Sequence, residues 1–362
     1  MNKIIPQTIE DLAPYVPGRR IEDVERELGL TGIIKLASNE NSLGASPRAL
    51  EAVAGALASV NRYSDADSRT LKAALAQKYG YNPDTLVTGN GSSEFILVLC
   101  HTLLEPGLNA VMSRPSFTLY ASNARAAGAE VREVALSSDY GHDLKSLAAE
   151  VDENTRLVFL DNPLNPTGAY LEPGEIMAFH RNLPDSAVLV LDEAYIDFAR
   201  RPKADWRQSL ETPGRLVVMR TFSKAYGLAG LRVAYALMDP SLARAVNKTR
   251  QPFNLNCLAE AAAVAALNDE DFLEQTLNST WQSLDFFQTE FRKIGLRPYP
   301  TEANFLMASI GERSAGELFE SLLHQGVIIR ALSSFGLNHH LRVSAGLANE
   351  GEALMEALKK VW

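Results

Sequence analysis

Cysteine is scarce in this sequence: only Cys100 and Cys257 occur among its 362 residues. Both stand among apolar neighbours, so we expect two small buried side chains rather than a disulfide framework. The continuous apolar runs are all shorter than the roughly 18 residues that a membrane-spanning helix needs. The first residues lack the apolar stretch of a signal peptide, which favours a soluble, cytoplasmic protein.

Basic charge is also in short supply. The chain carries 35 lysine and arginine residues against 44 aspartate and glutamate residues, a net charge of −9. Nucleic-acid-binding proteins usually carry a basic patch, and no run rich in lysine or arginine occurs here. The six histidines lack the spacing of a zinc site, and neither a Walker loop nor a G-x-S-x-G motif is found. We therefore expect no nucleic-acid partner, no membrane attachment and no metal.

What the sequence does contain is an alternation of helix-like and strand-like segments, which indicates an α/β fold. Four short segments are apolar at successive positions, as is typical of a parallel sheet that helices cover on both sides. These segments are residues 157–160, 187–191, 215–219 and 233–237. The periodicity predicts helices over residues 49–60, 68–79 and 93–104.

The pattern changes between residues 240 and 270. A long helical stretch over residues 258–294 follows. After it, a strand–helix–strand–strand pattern over residues 303–308, 314–325, 327–331 and 341–344 predicts a second, smaller α/β domain. We therefore predict an N-terminal arm over residues 1–45, a large domain over 46–250 and a small C-terminal domain over 251–362.

The segment from Thr221 to Arg232 directly follows one of the predicted strands and places Lys224 at the mouth of the sheet, among small residues. Thr221, Ser223 and Arg232 contribute two hydroxyls and a guanidinium, which are groups that bind phosphate. A lysine beside a phosphate-binding set is typical of a Schiff-base lysine that holds pyridoxal phosphate. A surface lysine in a loop is the alternative.

Two acids follow the apolar segment 187–191, and the first of them is Asp192. We expect Asp192 where the strand leaves the sheet, in the crevice where open α/β folds bind ligands. A carboxylate at this point can keep a pyridine nitrogen protonated, and Tyr195 can hydrogen-bond the phenolic oxygen of the same ring. A helix N-cap is an equally simple interpretation of Asp192.

Two loops complete the set of candidates. Asn165 lies in a turn-rich segment and can present its amide to a ring oxygen or a substrate carboxylate, although this segment alone favours a plain loop. The segment 89–94 begins like a dinucleotide-binding motif, but its sixth position is glutamate instead of glycine. The helix that starts there can bind an anion through its free N–H groups, with Ser92 and Ser93 either binding phosphate or only capping the helix.

Taken together, these segments resemble the fold-type I pyridoxal-phosphate enzymes, and more narrowly the histidinol-phosphate aminotransferases. The narrower resemblance rests on the motifs Leu36–Asn41, Arg62-Tyr63, Val190–Tyr195, Thr221–Arg232 and Leu341–Val343. It extends from near residue 10 to the end of the chain. It implies a large domain with a mostly parallel seven-stranded sheet between helices, a smaller C-terminal α/β domain, and a homodimer in which the N-terminal arm contacts the small domain and the partner.

The resemblance also implies a role for each candidate residue. Lys224 would form the Schiff base with pyridoxal 5'-phosphate and carry a proton, and Asp192 would pair with the ring nitrogen. The other cofactor contacts would be Asn165 and Tyr195 at the ring oxygen, Phe117 on the ring face, Ser92, Ser93, Thr221, Ser223 and Arg232 at the phosphate, and Tyr63 at the phosphate in the neighbouring subunit. The substrate would be held by Tyr15, Asn39, Arg330 and Arg342.

The activity that the resemblance implies is transamination between histidinol phosphate and 2-oxoglutarate or glutamate, in histidine biosynthesis. Aromatic aminotransferases and decarboxylases of phosphorylated amino acids share most of these motifs and are the alternatives. A non-catalytic cofactor-binding protein is a third, which the intact set of catalytic residues disfavours. Two positions depart from the family pattern: Phe117 replaces a frequent tyrosine, and Leu164 replaces a frequent asparagine.

Overall fold

The computed structural model describes residues 4–14, 17–211 and 215–362. Its helices are α1 (Gln7–Glu10), α2 (Ile21–Leu28), α3 (Pro47–Ala56), α4 (Arg69–Tyr79), α5 (Ser92–Leu103), α6 (Leu119–Ala126), α7 (Leu144–Ala149), α8 (Pro173–Arg181), α9 (Arg207–Glu211), α10 (Pro240–Thr249), α11 (Cys257–Leu267), α12 (Glu270–Lys293), α13 (Ala315–Leu323) and α14 (Ala348–Val361). Its strands are β1 (Ile34–Lys35), β2 (Leu86–Gly89), β3 (Asn109–Arg114), β4 (Glu130–Ala135), β5 (Thr155–Asp161), β6 (Val188–Asp192), β7 (Leu216–Thr221), β8 (Ala234–Leu237), β9 (Arg297–Pro298), β10 (Phe305–Ser309), β11 (Val327–Ile328), β12 (Arg330–Ala331) and β13 (His340–Ser344).

The largest sheet contains seven strands in the order β2-β8-β7-β6-β5-β3-β4. The strands from β7 to β4 run parallel to one another, whereas β8 is antiparallel to both of its neighbours. Because parallel strands end at the same edge of a sheet, the loops after β5, β6 and β7 meet at one place. This mostly parallel sheet confirms the predicted α/β fold.

The central strands are buried on both faces. In β6, Leu189, Val190 and Leu191 are all inaccessible to solvent. Leu189 and Leu191 belong to a core layer with residues of α3, α4, α8 and α11, and Val190 belongs to the opposite layer with residues of α5, α6 and α10. Each such side chain contributes about 1.5–3 kcal/mol on burial, which explains why these strands are continuous apolar runs without alternation.

The four strand segments predicted from apolar runs correspond to β5, β6, β7 and β8, and the three predicted helices correspond to α3, α4 and α5. Local capping explains where α3 begins. Ser46 accepts a hydrogen bond from the N–H of Ala49, and Pro47 occupies the first helical position, where its missing N–H costs nothing.

A second sheet is antiparallel, with the order β12-β13-β10-β9. Residues of α12, α13 and α14 cover it in a separate core. The N-terminal arm joins this part of the molecule, because β1 pairs in parallel with β11. A small apolar cluster packs at this junction and includes Val24, Ile33, Leu323 and Ile328.

Helix α11 lies on the side of the large sheet. Its residues Ala259, Ala262 and Ala263 are part of the same core as α3 and α4. This packing favours a boundary between the domains beyond residue 267 instead of at residue 250. The division into an arm and two domains stays a prediction, because packing alone does not define independently folding units.

Both cysteines are free thiols in the structure. Cys100 is buried in α5, as expected, whereas Cys257 at the start of α11 is only half-buried. No helix in residues 4–14, 17–211 and 215–362 is long and apolar enough to cross a membrane.

Candidate active site

The carboxyl ends of three central strands form the floor of a pocket. Asp161 ends β5, Asp192 ends β6 and Thr221 ends β7. The pocket is lined by Ser92, Ser93, Phe117, Tyr120, Asp161, Asn165, Asp192, Ala194, Tyr195, Thr221, Ser223, Lys224 and Arg232. The structure therefore brings together all the side chains expected to hold the cofactor from within one chain, although they come from segments far apart in sequence.

Asp192 is buried in this floor. Its Oδ2 accepts a hydrogen bond from the hydroxyl of Tyr120 at 2.9 Å, and its Oδ1 accepts one from the N–H of Ala194 at 3.1 Å. Burial raises the pKa of the carboxyl to about 6, because the low-dielectric surroundings disfavour its charged form. The bond to Ala194 shows that Asp192 also organises the turn after β6, so the capping interpretation describes part of its environment.

Lys224 lies in the loop after β7 and is half-buried. Its Nζ is 3.4 Å from the carbonyl oxygen of Ser38, to which it donates, and 5.5 Å from the centre of the Tyr195 ring. The loop is held against the N-terminal segment at Gly227, which has a φ of +68°. A Cβ at this glycine would lie 2.0 Å from the carbonyl oxygen of Gly44. These contacts place the lysine in the pocket wall rather than on an exposed loop.

Hydroxyls and a guanidinium converge on the first turn of α5. The Thr221 hydroxyl accepts a hydrogen bond from the N–H of Ser223 at 3.1 Å, and Arg232 Nη1 donates to Ser223 Oγ at 3.5 Å. Gly91, the residue before α5, has a φ of +81°, and a Cβ there would lie 2.3 Å from Arg232 Nη2. Glycine is therefore required for the guanidinium to approach the free N–H groups of the helix, and the two together form an anion site.

Asn165 is held by two partners. Its side-chain oxygen accepts a hydrogen bond from Arg342 Nη1 at 2.5 Å, and its backbone N–H donates to Asp161 Oδ2 at 2.8 Å. Arg342 is buried and also donates to the carbonyl oxygen of Ala37 at 2.8 Å. The amide and the guanidinium therefore form one rigid unit across the junction between the two sheets.

Tyr195 is fixed by Asn39. The Asn39 side chain donates from Nδ2 to the Tyr195 hydroxyl at 3.0 Å, and its Oδ1 accepts from the Ser344 hydroxyl at 2.9 Å. Asn39 is buried and has a φ of +55°. Its side chain is thus engaged with protein groups that orient Tyr195, and the substrate contact expected for it stays a prediction.

Two other expected site residues do not line this pocket, and a third is not described. Tyr63 is 86% exposed and stacks on Phe253 with ring centres 4.7 Å apart, away from the pocket of its own chain. Arg330 does not line the pocket, but it is the cross-strand neighbour of Arg342. Tyr15 lies outside the described residues.

Two pocket residues with polar side chains, Tyr120 and Asp161, were not expected from the sequence. Tyr120 is fully buried, donates to Asp192, and meets Phe117 edge-on with ring centres 5.6 Å apart. Phe117 lies just before α6 and Tyr120 is the second residue of that helix, and this spacing of three residues is the signal that could have revealed it. Asp161 gave no comparable signal, because an acid before an Asn-Pro pair is normally interpreted as a turn residue.

The residues of this pocket fit pyridoxal phosphate. The anion site at Gly91 and Arg232 suits its phosphate, and Phe117 offers a ring face. Asp192 is a buried carboxylate that forms no ion pair with any of the described residues, and Lys224 supplies a primary amine. Within the described ranges, no group of three or more histidine, cysteine, aspartate or glutamate side chains is arranged to hold a metal ion. The arrangement suits chemistry on an amine attached to an aromatic aldehyde.

Comparison with known proteins agrees with this geometry. The family model for aminotransferase class I and II matches residues 31–359. Histidinol-phosphate aminotransferase 2 of Carboxydothermus hydrogenoformans is 43% identical over 360 residues, which cover 99% of each chain. Histidinol-phosphate aminotransferase 2 of Methylococcus capsulatus is 44% identical over 361 residues, which cover 98% of this chain and 96% of that one.

A solved structure extends the similarity to three dimensions. The crystal structure of histidinol-phosphate aminotransferase from Sinorhizobium meliloti, in complex with pyridoxal-5'-phosphate, superposes with a TM-score of 0.91. The superposition covers 100% of this chain and 99% of the other at 30% sequence identity. The chain therefore belongs to the aminotransferase class I and II family.

Proposed function

We propose that this protein is a pyridoxal-phosphate-dependent transaminase that exchanges the amino group of histidinol phosphate with 2-oxoglutarate. The cofactor and the reaction class follow from family membership and from the pyridoxal-phosphate complex of the Sinorhizobium meliloti relative. The substrate is supported by the names of relatives that are more than 40% identical over nearly the whole chain.

One observation carries the proposal. A single pocket contains an amine on Lys224, a buried carboxylate on Asp192, and an anion site built from Gly91, Ser223 and Arg232. Each of these groups occurs in many proteins, but their meeting at the ends of adjacent parallel strands is what transamination on pyridoxal phosphate requires.

When bound, pyridoxal phosphate supplies an electron-withdrawing ring that stabilises negative charge on a carbon next to nitrogen. Lys224 would be the amine that holds the cofactor, and its Nζ would then carry a proton to and from the reacting carbon. Asp192 holds a proton on the ring nitrogen, because its buried charge is stabilised only when a cation lies beside it. Asn165 and Tyr195 hold the ring oxygen, and Arg342 fixes the amide of Asn165 in the orientation that this contact needs.

The substrate end of the site is cationic. Arg342 and its direct cross-strand neighbour Arg330 place two guanidinium groups on the same face of the small sheet. A guanidinium binds either a carboxylate or a phosphate through two parallel hydrogen bonds. This pair therefore suits 2-oxoglutarate in one half of the reaction and a phosphate ester of an amino alcohol in the other.

A comparison of amino donors tests the substrate. With 2-oxoglutarate as acceptor, we expect kcat/KM for histidinol phosphate to exceed that for phenylalanine and for aspartate by at least about 100-fold. Amino donors without a phosphate leave the phosphate-binding groups of the site unpaired. Equal or better use of phenylalanine would identify an aromatic aminotransferase. Release of carbon dioxide from a phosphorylated amino acid would identify a decarboxylase.

A homodimer belongs to the same proposal. The exposed apolar side chains Leu57, Val60, Tyr63 and Phe253 lie close together in sequence or in contact, and Tyr63 is 86% exposed. Exposed apolar patches mark interaction surfaces, and a second copy would bury this one. In that dimer Tyr63 reaches the phosphate in the partner's pocket. The cytoplasmic location expected from the sequence stays a prediction.

A further inference from the structure

Asp161 is a buried acid in the pocket wall, and the proposed function assigns it no role. The residue ends β5, is 3% exposed, and lines the same pocket as Asp192. The two acids are direct partners on neighbouring parallel strands, so their side chains leave the same face of the sheet. Two carboxyl groups, both almost fully buried, therefore stand side by side in the pocket wall.

The two carboxyl oxygens of Asp161 have different surroundings. Oδ2 accepts a hydrogen bond from the N–H of Asn165 at 2.8 Å. Oδ1 is equally buried, and among the described residues it has no hydrogen-bond partner. The Nε2 atom of His142 lies 3.7 Å from Oδ1, but it is engaged with the backbone carbonyl oxygen of Asp161 at 2.9 Å.

The groups that face Asp161 supply no positive charge. His142, from the segment before α7, is neutral near pH 7, because burial lowers its pKa to about 4. Asp192 from β6 and Tyr120 from α6 face it on the other side. In the part of the chain that the structure describes, neither lysine nor arginine forms an ion pair with it. Burial and the neighbouring charge of Asp192 raise the pKa of Asp161 well above its ordinary value.

We propose that Asp161 is a positioning residue that stays protonated while Asp192 is ionised, with its proton on Oδ1. Two adjacent carboxyl groups in a dry site share one charge, because ionising the second would bury two like charges together. The N–H of Asn165 requires Oδ2 to be an acceptor, which leaves Oδ1 for the proton. The wall then carries one negative charge and, beside Asn165, one hydrogen-bond donor.

This protonation has a use if the proposed function is right. Asn165 is the residue that would hold the ring oxygen of the cofactor, and Asp161 holds Asn165 through its backbone N–H. A neutral Asp161 keeps its hydrogen bond to Asn165 without adding a second negative charge near the ring oxygen, whereas a carboxylate would repel that oxygen. The protonation itself does not depend on the cofactor and can be tested without it.

Infrared spectroscopy of the full chain measures the protonation directly, because only a protonated carboxyl group has the C=O stretch of an acid. At about pH 8, well above the ordinary carboxyl range, we expect an acid band that Asp161→Asn removes. Asp197→Asn, which removes a half-buried acid whose pKa is also raised by burial, serves as the control and leaves that band in place. The band is expected both with the cofactor bound and after its removal. An unchanged acid-band spectrum in Asp161→Asn would overturn the proposal.

Cofactor binding provides a second readout. An asparagine at this position keeps an acceptor for the N–H of Asn165 and places an N–H donor where Oδ1 lies. Asp161→Asn should therefore change the Kd for pyridoxal phosphate by less than about threefold. Asp161→Ala, which removes both groups, should weaken binding by more than about tenfold. The pH midpoint of the visible absorption band should be the same in wild type and Asp161→Asn, because no charge is removed. A shifted midpoint would show that Asp161 is ionised and refute the proposal. A protein without any visible band would refute the proposed function, while the infrared result would still decide the state of Asp161.

Discussion

The carboxylate of Asp192 is surrounded by groups that fix its position without neutralising its charge. Tyr120 and the N–H of Ala194 each donate one hydrogen bond to it, and burial raises its pKa to about 6. A charge held in this way is costly until a cation lies next to it. Under the proposed function, the protonated ring nitrogen of pyridoxal phosphate would supply that cation, and this residue would then couple cofactor binding to the stability of the pocket.

This cost should appear in the pH dependence of unfolding. The pKa of Asp192 is raised from 3.8 in the unfolded chain to about 6 in the folded cofactor-free protein. Because the pKa is raised, the folded protein binds more protons than the unfolded chain between pH 3.8 and about pH 6. The stability that protonated Asp192 contributes is therefore fully present below pH 3.8 and is lost as the pH rises through about 6.

Urea unfolding of the cofactor-free protein checks this. From about pH 4 to about pH 7, wild type should lose on the order of 3 kcal/mol relative to Asp192→Asn. Saturating pyridoxal phosphate should abolish the loss in wild type. A difference between the two proteins that does not vary with pH would contradict the interpretation.

Arg342 offers a test of substrate binding. Its guanidinium donates to Asn165 and to the carbonyl oxygen of Ala37, and a lysine cannot reproduce two directed contacts. We expect Arg342→Lys to raise KM for 2-oxoglutarate by about 10- to 100-fold, with a smaller change in cofactor affinity. Steady-state kinetics and absorbance titration separate the two quantities. Arg313→Lys, at a surface arginine that contacts the C-terminal residues, is the control and should leave both unchanged.

Individual residues differ in how well the sequence revealed them. Lys224 and Asp192 were recognisable because each follows a strongly apolar strand, which fixes its place at the sheet edge. Tyr120 and Asp161 both act through Asp192, which lies 72 positions after the first and 31 positions after the second. No local sequence pattern encodes contacts over such separations. Asn39 was recognised as part of a motif, but its bond to Tyr195 emerges only from the fold.

At the level of elements, the first turn of α5 is the part most sensitive to backbone geometry. Its N-terminal N–H groups form an anion site only because Gly91 adopts a φ of +81° and leaves room for Arg232. Arg232 itself has a φ of +60°, an uncommon conformation for a residue with a side chain. Strain of this kind concentrates at functional sites, which agrees with phosphate binding at this turn.

Gly91→Ala should therefore weaken the binding of pyridoxal phosphate by at least about tenfold, since the added Cβ both strains the backbone and displaces Arg232. Gly230→Ala is the matched control, because a Cβ at that glycine meets nothing within 4 Å. Equilibrium dialysis of the two variants measures the effect. Equal affinities would show that the phosphate binds elsewhere.

The elements were largely predictable, and the exceptions have physical causes. The long helical stretch predicted over residues 258–294 is divided into α11 and α12 at Asn268 and Asp269, short polar residues that compete with the helical backbone. The strand predicted over residues 327–331 is divided into β11 and β12, which pair with β1 and β13 in different sheets. The antiparallel direction of β8 depends on chain topology, which periodicity does not report.

At the scale of the whole molecule, the pocket depends on three distant parts of the chain. The arm supplies Ser38 and Asn39, the large sheet supplies the strand ends, and the small sheet supplies Arg342 and Ser344. The contact of Gly227 with Gly44 ties the lysine loop to the arm. A reaction site assembled in this way responds to any change that moves these parts relative to one another.

The proposed dimer gives a further test at this scale. A charge in the exposed patch of Leu57, Val60, Tyr63 and Phe253 should prevent association, because burying an unpaired charge costs several kcal/mol. We expect sedimentation to show a dimer for wild type and a monomer with weakened cofactor binding for Val60→Asp. Lys359→Glu on the exposed side of α14 should remain dimeric. A monomeric wild type would contradict the arrangement.

The most direct test of the whole account is the identification of the lysine that carries the cofactor. Borohydride reduction fixes pyridoxal phosphate on the amine to which it is attached, and peptide mass spectrometry then locates the modified residue. The account predicts modification of the peptide that contains Lys224 and loss of this modification in Lys224→Ala. Attachment to a different lysine, or full transaminase activity in Lys224→Ala, would contradict it.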